Sequence, residues 1–355
     1  GIAVTLARFG GVAGRDEDAW FGWSIVYTCA ASLVGTLIYL SLVASPATDI
    51  LRGSPKGYFL FFLLTAAMSL GPLVDVRLIA SRSWSWLLIK NLLVGLTRLP
   101  LAAIHPFHNE AVWLFTLIAA PQAVFGALGV LALPKIMNGR VRLHVPVSWR
   151  QAMHFSLVNW LAVLSTNAPA FVIPLIVALH VKASVNAAFF LASNIAAAMY
   201  LVPTSIAVVV LVEGARDAAD FKRRARHALL VAVAVSTAAL VGSIALAPLL
   251  TIVYGDAFRL TAEILPVLLA ACVPWSVAAI KLSEARLRHD HVTTVAISAT
   301  IGVGIVTVGL VLVPIMGPWG AVWAWVSGNV AASALGSVLG WLRWRHAVPA
   351  SVLAG

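Results

Sequence analysis

The sequence predicts an all-α, polytopic membrane protein, and three observations carry that prediction. Charged residues make up 10% of the 355-residue chain against 61% hydrophobic ones, and the mean hydropathy is +0.97. A water-soluble protein of this length needs far more polar surface. Runs of about 20 apolar residues, enough to cross about 30 Å of hydrocarbon at about 1.5 Å per residue, recur ten times. Lys and Arg gather in alternate connections, as they do where one side of a membrane is the cytoplasm.

The elements follow in order. The chain opens GIAVTLARFGG, which reads as the tail of an earlier helix, so a preceding two-helix hairpin and a total of twelve helices are expected. The first apolar segment spans 22–43. The second, 58–80, carries Gly71-Pro72, Asp75 and Arg77 before its apolar run has ended. The third, 84–104, returns with Lys90, Asn91 and Arg98, and the fourth, 111–133, completes an N-terminal lobe over 1–133. The polar stretch PKIMNGRVRLHVPVSWRQ (134–151) reads as a cytoplasmic inter-lobe linker. Six further segments, at 152–179, 184–211, 228–253, 261–281, 292–314 and 319–342, make a C-terminal lobe over 152–355, with Pro169, Pro174 and Pro203 interrupting the first two. Two helical bundles around a central cavity are the architecture expected.

Charge sets the orientation. Of 24 Lys and Arg residues, 17 fall on the side that holds both ends of the chain, and Arg52, Lys56, Lys182 and Arg259 fall on the other. Gly1 and Gly355 are therefore expected in the cytoplasm, in a multi-pass protein of a cell membrane. The same bias accounts for the net charge of +11 without nucleic acid, because no stretch is polar for long enough to build a basic, water-exposed domain.

Several activities are excluded by what the connections contain. No GxxxxGK[ST] motif occurs, so ATP is not the direct energy source, and no cofactor is expected. Cys29 and Cys272 lie in apolar runs far apart and read as packing residues. A membrane glycosyltransferase or ligase acting at the outer face needs a large loop with acidic or His residues. The longest outer loop here, ASPATDILRGSPKG (44–57), has one carboxylate, Asp49. HPFHNE (105–110) brings His105, His108 and Glu110 together, but a solvated loop explains it better than a metal site. A non-enzymatic protein is expected.

Four stretches together carry a resemblance. They are WSWLLIKNLLVGLTRLPL (84–101), NAPAFVIPLIVALHVKASVNAAFFLASNIAAAMYLVPTSIAVVVLVEG (167–214), LLTIVYGDAFRLTAEILPVLLAACVP (249–274) and IGVGIVTVGLVLVPIMGPWGAVWAWVSGN (301–329). In order and spacing the chain resembles the polysaccharide-biosynthesis flippases of the multidrug/oligosaccharidyl-lipid/polysaccharide exporter superfamily. The resemblance covers the whole chain and departs from the family at the start, where two helices are lacking. It implies two six-helix bundles that alternate access and move a lipid-linked saccharide to the outer leaflet. It also implies membrane lipids, and a glycan polymerase or glycosyltransferases of the same pathway, as partners. A cation-coupled multidrug exporter of the same superfamily is the alternative. That reading needs a buried carboxylate, for which Asp75 is the candidate.

The intramembrane charges are where binding would be built, because a lone charge at the centre of a lipid-exposed helix costs on the order of 2.5–3.5 kcal/mol. Asp75 lies roughly 7 Å from the cytoplasmic end of its segment and Lys90 roughly 9 Å from the same face on the next. Matched depth predicts an Asp75–Lys90 ion pair, with Arg77 able to share it and Gly71-Pro72 kinking the helix to open space beside it. Arg98 lies roughly 21 Å along its segment, where no helix of the chain offers a carboxylate. It either snorkels to the outer surface or joins Lys90, Asn91 and Arg8 in a cationic stripe that takes the diphosphate of a lipid carrier, for which a guanidinium fork is suited. The C-terminal lobe shows no deep charge. Its Asn159, Ser165, Thr166, Asn167, Asn186, Asn194 and Thr204 suit packing first and sugar hydroxyls second.

Overall fold

The computed structural model describes residues 2–7, 17–42, 55–103, 111–136, 142, 149–216 and 221–344, and every described regular element is helical. Each of the ten apolar segments coincides with helix. In order they are α1 (Glu17–Leu42), α2 (Pro55–Ala80), α3 (Trp84–Ala103), α4 (Ala111–Ile136), α5 (Trp149–His180), α6 (Ala183–Arg216) and α7 (Phe221–Tyr254). The eighth segment is divided into α8 (Arg259–Ala270) and α9 (Cys272–Leu287). The ninth comprises α10 (His291–Ala299), a π-helical stretch Thr300–Gly304 and α11 (Ile305–Met316), and the tenth is α12 (Pro318–Trp344). Among the described residues, eight helical runs are long and apolar enough to cross a membrane, and Ala119–Leu133 within α4 is a shorter apolar stretch. An all-α, polytopic membrane protein is what these elements make.

The chain divides into two compact units, Ile2–Met153 and a second from His154 onward. The boundary falls in the first turns of α5. Of the expected linker 134–151, the ends belong to α4 and α5, and the remainder, Arg142 aside, lies outside the described residues.

In the first unit α2 packs against α1 and α4, and α3 against α4. The α2–α4 seam is close enough to require glycine. A Cβ on Gly126 would stand 2.7 Å from the Ala67 carbonyl oxygen, nearer than side chains come. In the second unit Ile173, Phe189, Ile264, Leu268, Ile297, Ile301 and Ile305 belong to one buried cluster. Large apolar side chains also face outward. Phe171, Leu179 and Ile252 are 77%, 74% and 75% exposed, the surface expected of helices that meet lipid rather than water.

The divisions inside the eighth and ninth segments have local causes. Pro266 and Pro274 bracket the α8–α9 junction at Ala271, and each removes one helical donor. Tyr200 of α6 donates to the Leu268 carbonyl there at 3.2 Å. At the π-helical stretch, Gly302 lies so close to the Ser165 carbonyl of α5 that no Cβ fits between them. Pro169, four residues after Ser165, has no N–H to offer that carbonyl within α5.

Candidate functional site

The intramembrane charges of the first unit are positioned by the way α2 ends. The Arg82 N–H donates to the Ile79 carbonyl at 3.0 Å and the Ser83 N–H to the Leu78 carbonyl at 2.9 Å, with Arg82 in the left-handed region at φ 57°. This is a Schellman close, which satisfies the last carbonyls of α2 and reverses the chain. The Ser81 hydroxyl adds a bond to the Leu78 carbonyl at 3.0 Å. α3 then returns beside α2, and residues at similar separations from the turn meet at the same depth.

Lys90 Nζ lies 2.6 Å from Asp75 Oδ1, and the two side chains are 12% and 30% exposed. Asn91, the next residue on α3, is exposed. Arg77, expected from sequence to be able to share the pair, has a partner on α1. It is buried against α1, its Nη2 3.2 Å from Asp18 Oδ1 and its guanidinium carbon 6.0 Å from the centre of the Phe21 ring. The physical reason is that α1 begins at Glu17, before the apolar run that marked it, which brings Asp18 to the depth of Arg77. α2 continues through Pro72, and Gly71 is met by Gln122 of α4, whose Nε2 would be 3.7 Å from a Cβ there.

Arg98 stands on α3 eight residues beyond Lys90, a rise of about 12 Å. Its side chain, all of Arg8, and the loop residues His105, His108 and Glu110 lie outside the described residues. Among the described residues no group of His, Cys, Asp and Glu is arranged to hold a metal ion.

In the second unit the polar residues named from sequence bond mostly to their own helices. Asn159, buried, donates to the Phe155 carbonyl at 2.8 Å, and Thr166 to Ala162 at 3.1 Å. Asn167 and Asn194 donate to Val163 and Phe190, each at 2.8 Å, and remain exposed. Thr204 donates to the Tyr200 carbonyl at 2.8 Å and accepts from Trp275 Nε1 at 3.2 Å. Tyr200 lies between Trp275 and Trp325, with ring centroids 6.2 and 5.9 Å away. Asn186 is half-buried on α6 and Ser165 meets Gly302 through its carbonyl.

Sequence reasoning missed charge in this unit. α9 continues six residues past the expected end of its segment, so Lys281, Glu284 and Arg286 lie on it, and Lys281 pairs with Glu284 at 2.9 Å. The signal was present: Leu282, Ala285 and Leu287 are all buried and continue the helical repeat between those charges.

No family model matches the chain, and no curated protein matches it. Solved structures do. One is the outward-facing conformation of a multidrug resistance MATE family transporter of the MOP superfamily, with a TM-score of 0.71 and 14% identity over 96% of this chain and 82% of that one. Another is the MATE transporter ClbM in complex with Rb+, with a TM-score of 0.67 and 15% identity over 99% and 84%. A third is a MOP superfamily transporter from Pyrococcus furiosus, described as having a binding pocket of reversed polarity, with a TM-score of 0.70 and 14% identity. At these identities the likeness is one of fold, and the fold is that of MATE transporters.

Proposed function

We propose that this chain is a non-enzymatic exporter of the bacterial cytoplasmic membrane that moves a lipid-linked oligosaccharide or polysaccharide precursor to the outer leaflet by alternating access. One observation carries the saccharide-lipid reading. Asp75 is committed to Lys90 at 2.6 Å, so the carboxylate on which cation coupling would depend already has its cation. The reading assigns the counter-charge of Arg98 to the carrier diphosphate, with Lys90 and Asn91 below it on the same helix and Arg8 as a fourth contact. Exposed Asn167 and Asn194 suit sugar hydroxyls. Both chain ends are taken as cytoplasmic, and enzymes that build or polymerise the glycan are the partners this substrate calls for.

The test is substitution at Arg98. Arg98→Ala is expected to leave protein level near normal and abolish flipping, and Arg98→Lys to recover part of it, since charge remains but the two-pronged grip is lost. The measurement is lipid-linked saccharide retained on the inner leaflet, normalised to protein level. Full activity in Arg98→Ala sinks the proposed site.

The second reading, a cation-coupled multidrug exporter, is favoured by the shared fold, since a multidrug resistance transporter and a Rb+ complex are among the structures matched. It requires Asp75 to exchange Lys90 for a cation. Drug efflux that persists in Lys90→Met and ceases in Asp75→Asn would support it.

A further inference from the structure

α9 ends in an arginine for which the described residues of its unit supply no counter-charge. Arg286 occupies the last turn of α9, inside the membrane-spanning run Arg259–Leu287. On the helical repeat it extends the stripe Trp275, Ala279 and Leu282. Trp275 in that stripe bonds Thr204 of α6 at 3.2 Å. On either side, the Ser283 hydroxyl donates to the Ala207 carbonyl of α6 at 2.7 Å, and Leu287 packs at Gly214 of α6. Arg286 therefore leaves α9 on the side applied to α6. Its Nε is sealed from solvent and meets no acceptor, while the residue as a whole stays half-buried, with part of it accessible.

The described carboxylates at this end of the unit are already taken. Glu284 pairs with Lys281 at 2.9 Å and Glu213 with Arg224 at 3.3 Å. Asp290 pairs with Arg343 at 3.0 Å and accepts the cap bonds of Thr293. Further cations lie at the start of the neighbouring α7. A Cβ on Gly214 would come within 2.5 Å of Phe221 as well as 2.9 Å of Leu287, which brings the start of α7, with exposed Lys222 and Arg226, to the end of α9. A guanidinium keeps its proton at neutral pH, so this one cannot relieve its desolvation by neutralising.

The geometry points to an anion site at Arg286 for a phosphate or diphosphate group carried on a lipid. The position at a helix end, where hydrocarbon gives way to water, admits a lipid-borne anion. The planar fork matches phosphate oxygens in pairs, and the flanking cations raise the local anion concentration. Two sources share this chemistry, a phospholipid headgroup and a polyprenyl diphosphate. The site rests on the second unit alone and stands independently of the transport reading.

The experiment uses the full chain in neutral detergent, with thermal unfolding and native mass spectrometry as readouts and three probes: phosphatidylglycerol, a polyprenyl diphosphate and inorganic diphosphate. Wild-type protein is expected to bind at least one lipid probe saturably and to melt higher with it. Arg286→Gln should weaken that binding at least tenfold, with Arg286→Lys in between. Without any probe, Arg286→Gln should melt at or above wild type, because it breaks no bond within the protein. A response to phosphatidylglycerol alone identifies a headgroup site, and preference for the polyprenyl diphosphate identifies a carrier site. Both support the proposal. It is overturned if no lipid probe binds, if only inorganic diphosphate binds, if Arg286→Gln binds like wild type, or if Arg286→Gln without probe melts well below wild type, which would reveal a partner within the chain.

Discussion

Asp75 and Lys90 are worth different amounts singly and together. With both present, a contact at 2.6 Å offsets the desolvation of two half-buried charges; with one removed, the survivor bears that cost alone, about 3–5 kcal/mol for a buried pair and less where water reaches it. Asp75→Asn and Lys90→Met should each lower the yield of folded protein and its melting temperature, and the exchange Asp75→Lys with Lys90→Asp should restore much of both. Size-exclusion profiles and thermal unfolding in detergent are the measurements, and an exchange no better than the single changes would show that the contact is not structural. This pair was legible because both depths can be counted from the ends of apolar runs. The partner of Arg77 was not, since Asp18 precedes the run that marked α1 and the helix starts earlier than hydropathy does. Arg286 was hidden for the complementary reason, as α9 outlasts its apolar run.

Helix ends are set by bonding that composition does not display. α2 and α9 close in the same way. At α9 the His289 N–H donates to the Arg286 carbonyl at 3.3 Å and the Asp290 N–H to the Ala285 carbonyl at 2.9 Å, with His289 at φ 54° as Arg82 is at φ 57°. A left-handed side-chain-bearing residue costs about 1–2 kcal/mol, whereas glycine there pays only its extra chain entropy, about 0.5–1 kcal/mol. Arg82→Gly should therefore melt above Arg82→Val, branched at Cβ, by the equivalent of more than about 1 kcal/mol. Thermal unfolding of the two variants side by side checks the sign, and a valine variant as stable as the glycine one would remove the strain argument. At His289 the same relief is offset, because its ring contacts Phe155 at 5.4 Å between centroids. The ten segments were readable from hydropathy, but neither the α8–α9 junction nor the π-helical stretch was, because apolar sequence continues through both. Pro266 and Pro274, eight residues apart, were the available sign of the first.

For the molecule as a whole, composition was enough to give the fold class, and the charge asymmetry gives an orientation that can be tested directly. Single cysteines at Ser54 and Asn109 should react with an impermeant thiol reagent added to intact cells, and cysteines at Ser148 and Ala218 should not. The reverse pattern would invert the topology. Function was less legible, since a helix reads the same whether a polar side chain faces a neighbour or a passing ligand. The π-helical stretch at 300–304 bears on the molecule in another way. Its extra residue sets α10 and α11 out of phase by about 100° relative to an uninterrupted α-helix, and in that phase Ile297 and Ile305 stand at Gly336 and Gly328 of α12. Changes of amino acid there can be absorbed by size and shape, but the gain or loss of a single codon would unseat one contact or the other. Across relatives that share this seam, the distance between those two isoleucine positions should hold constant while the residues between them drift, so that spacing, rather than identity, is what is inherited.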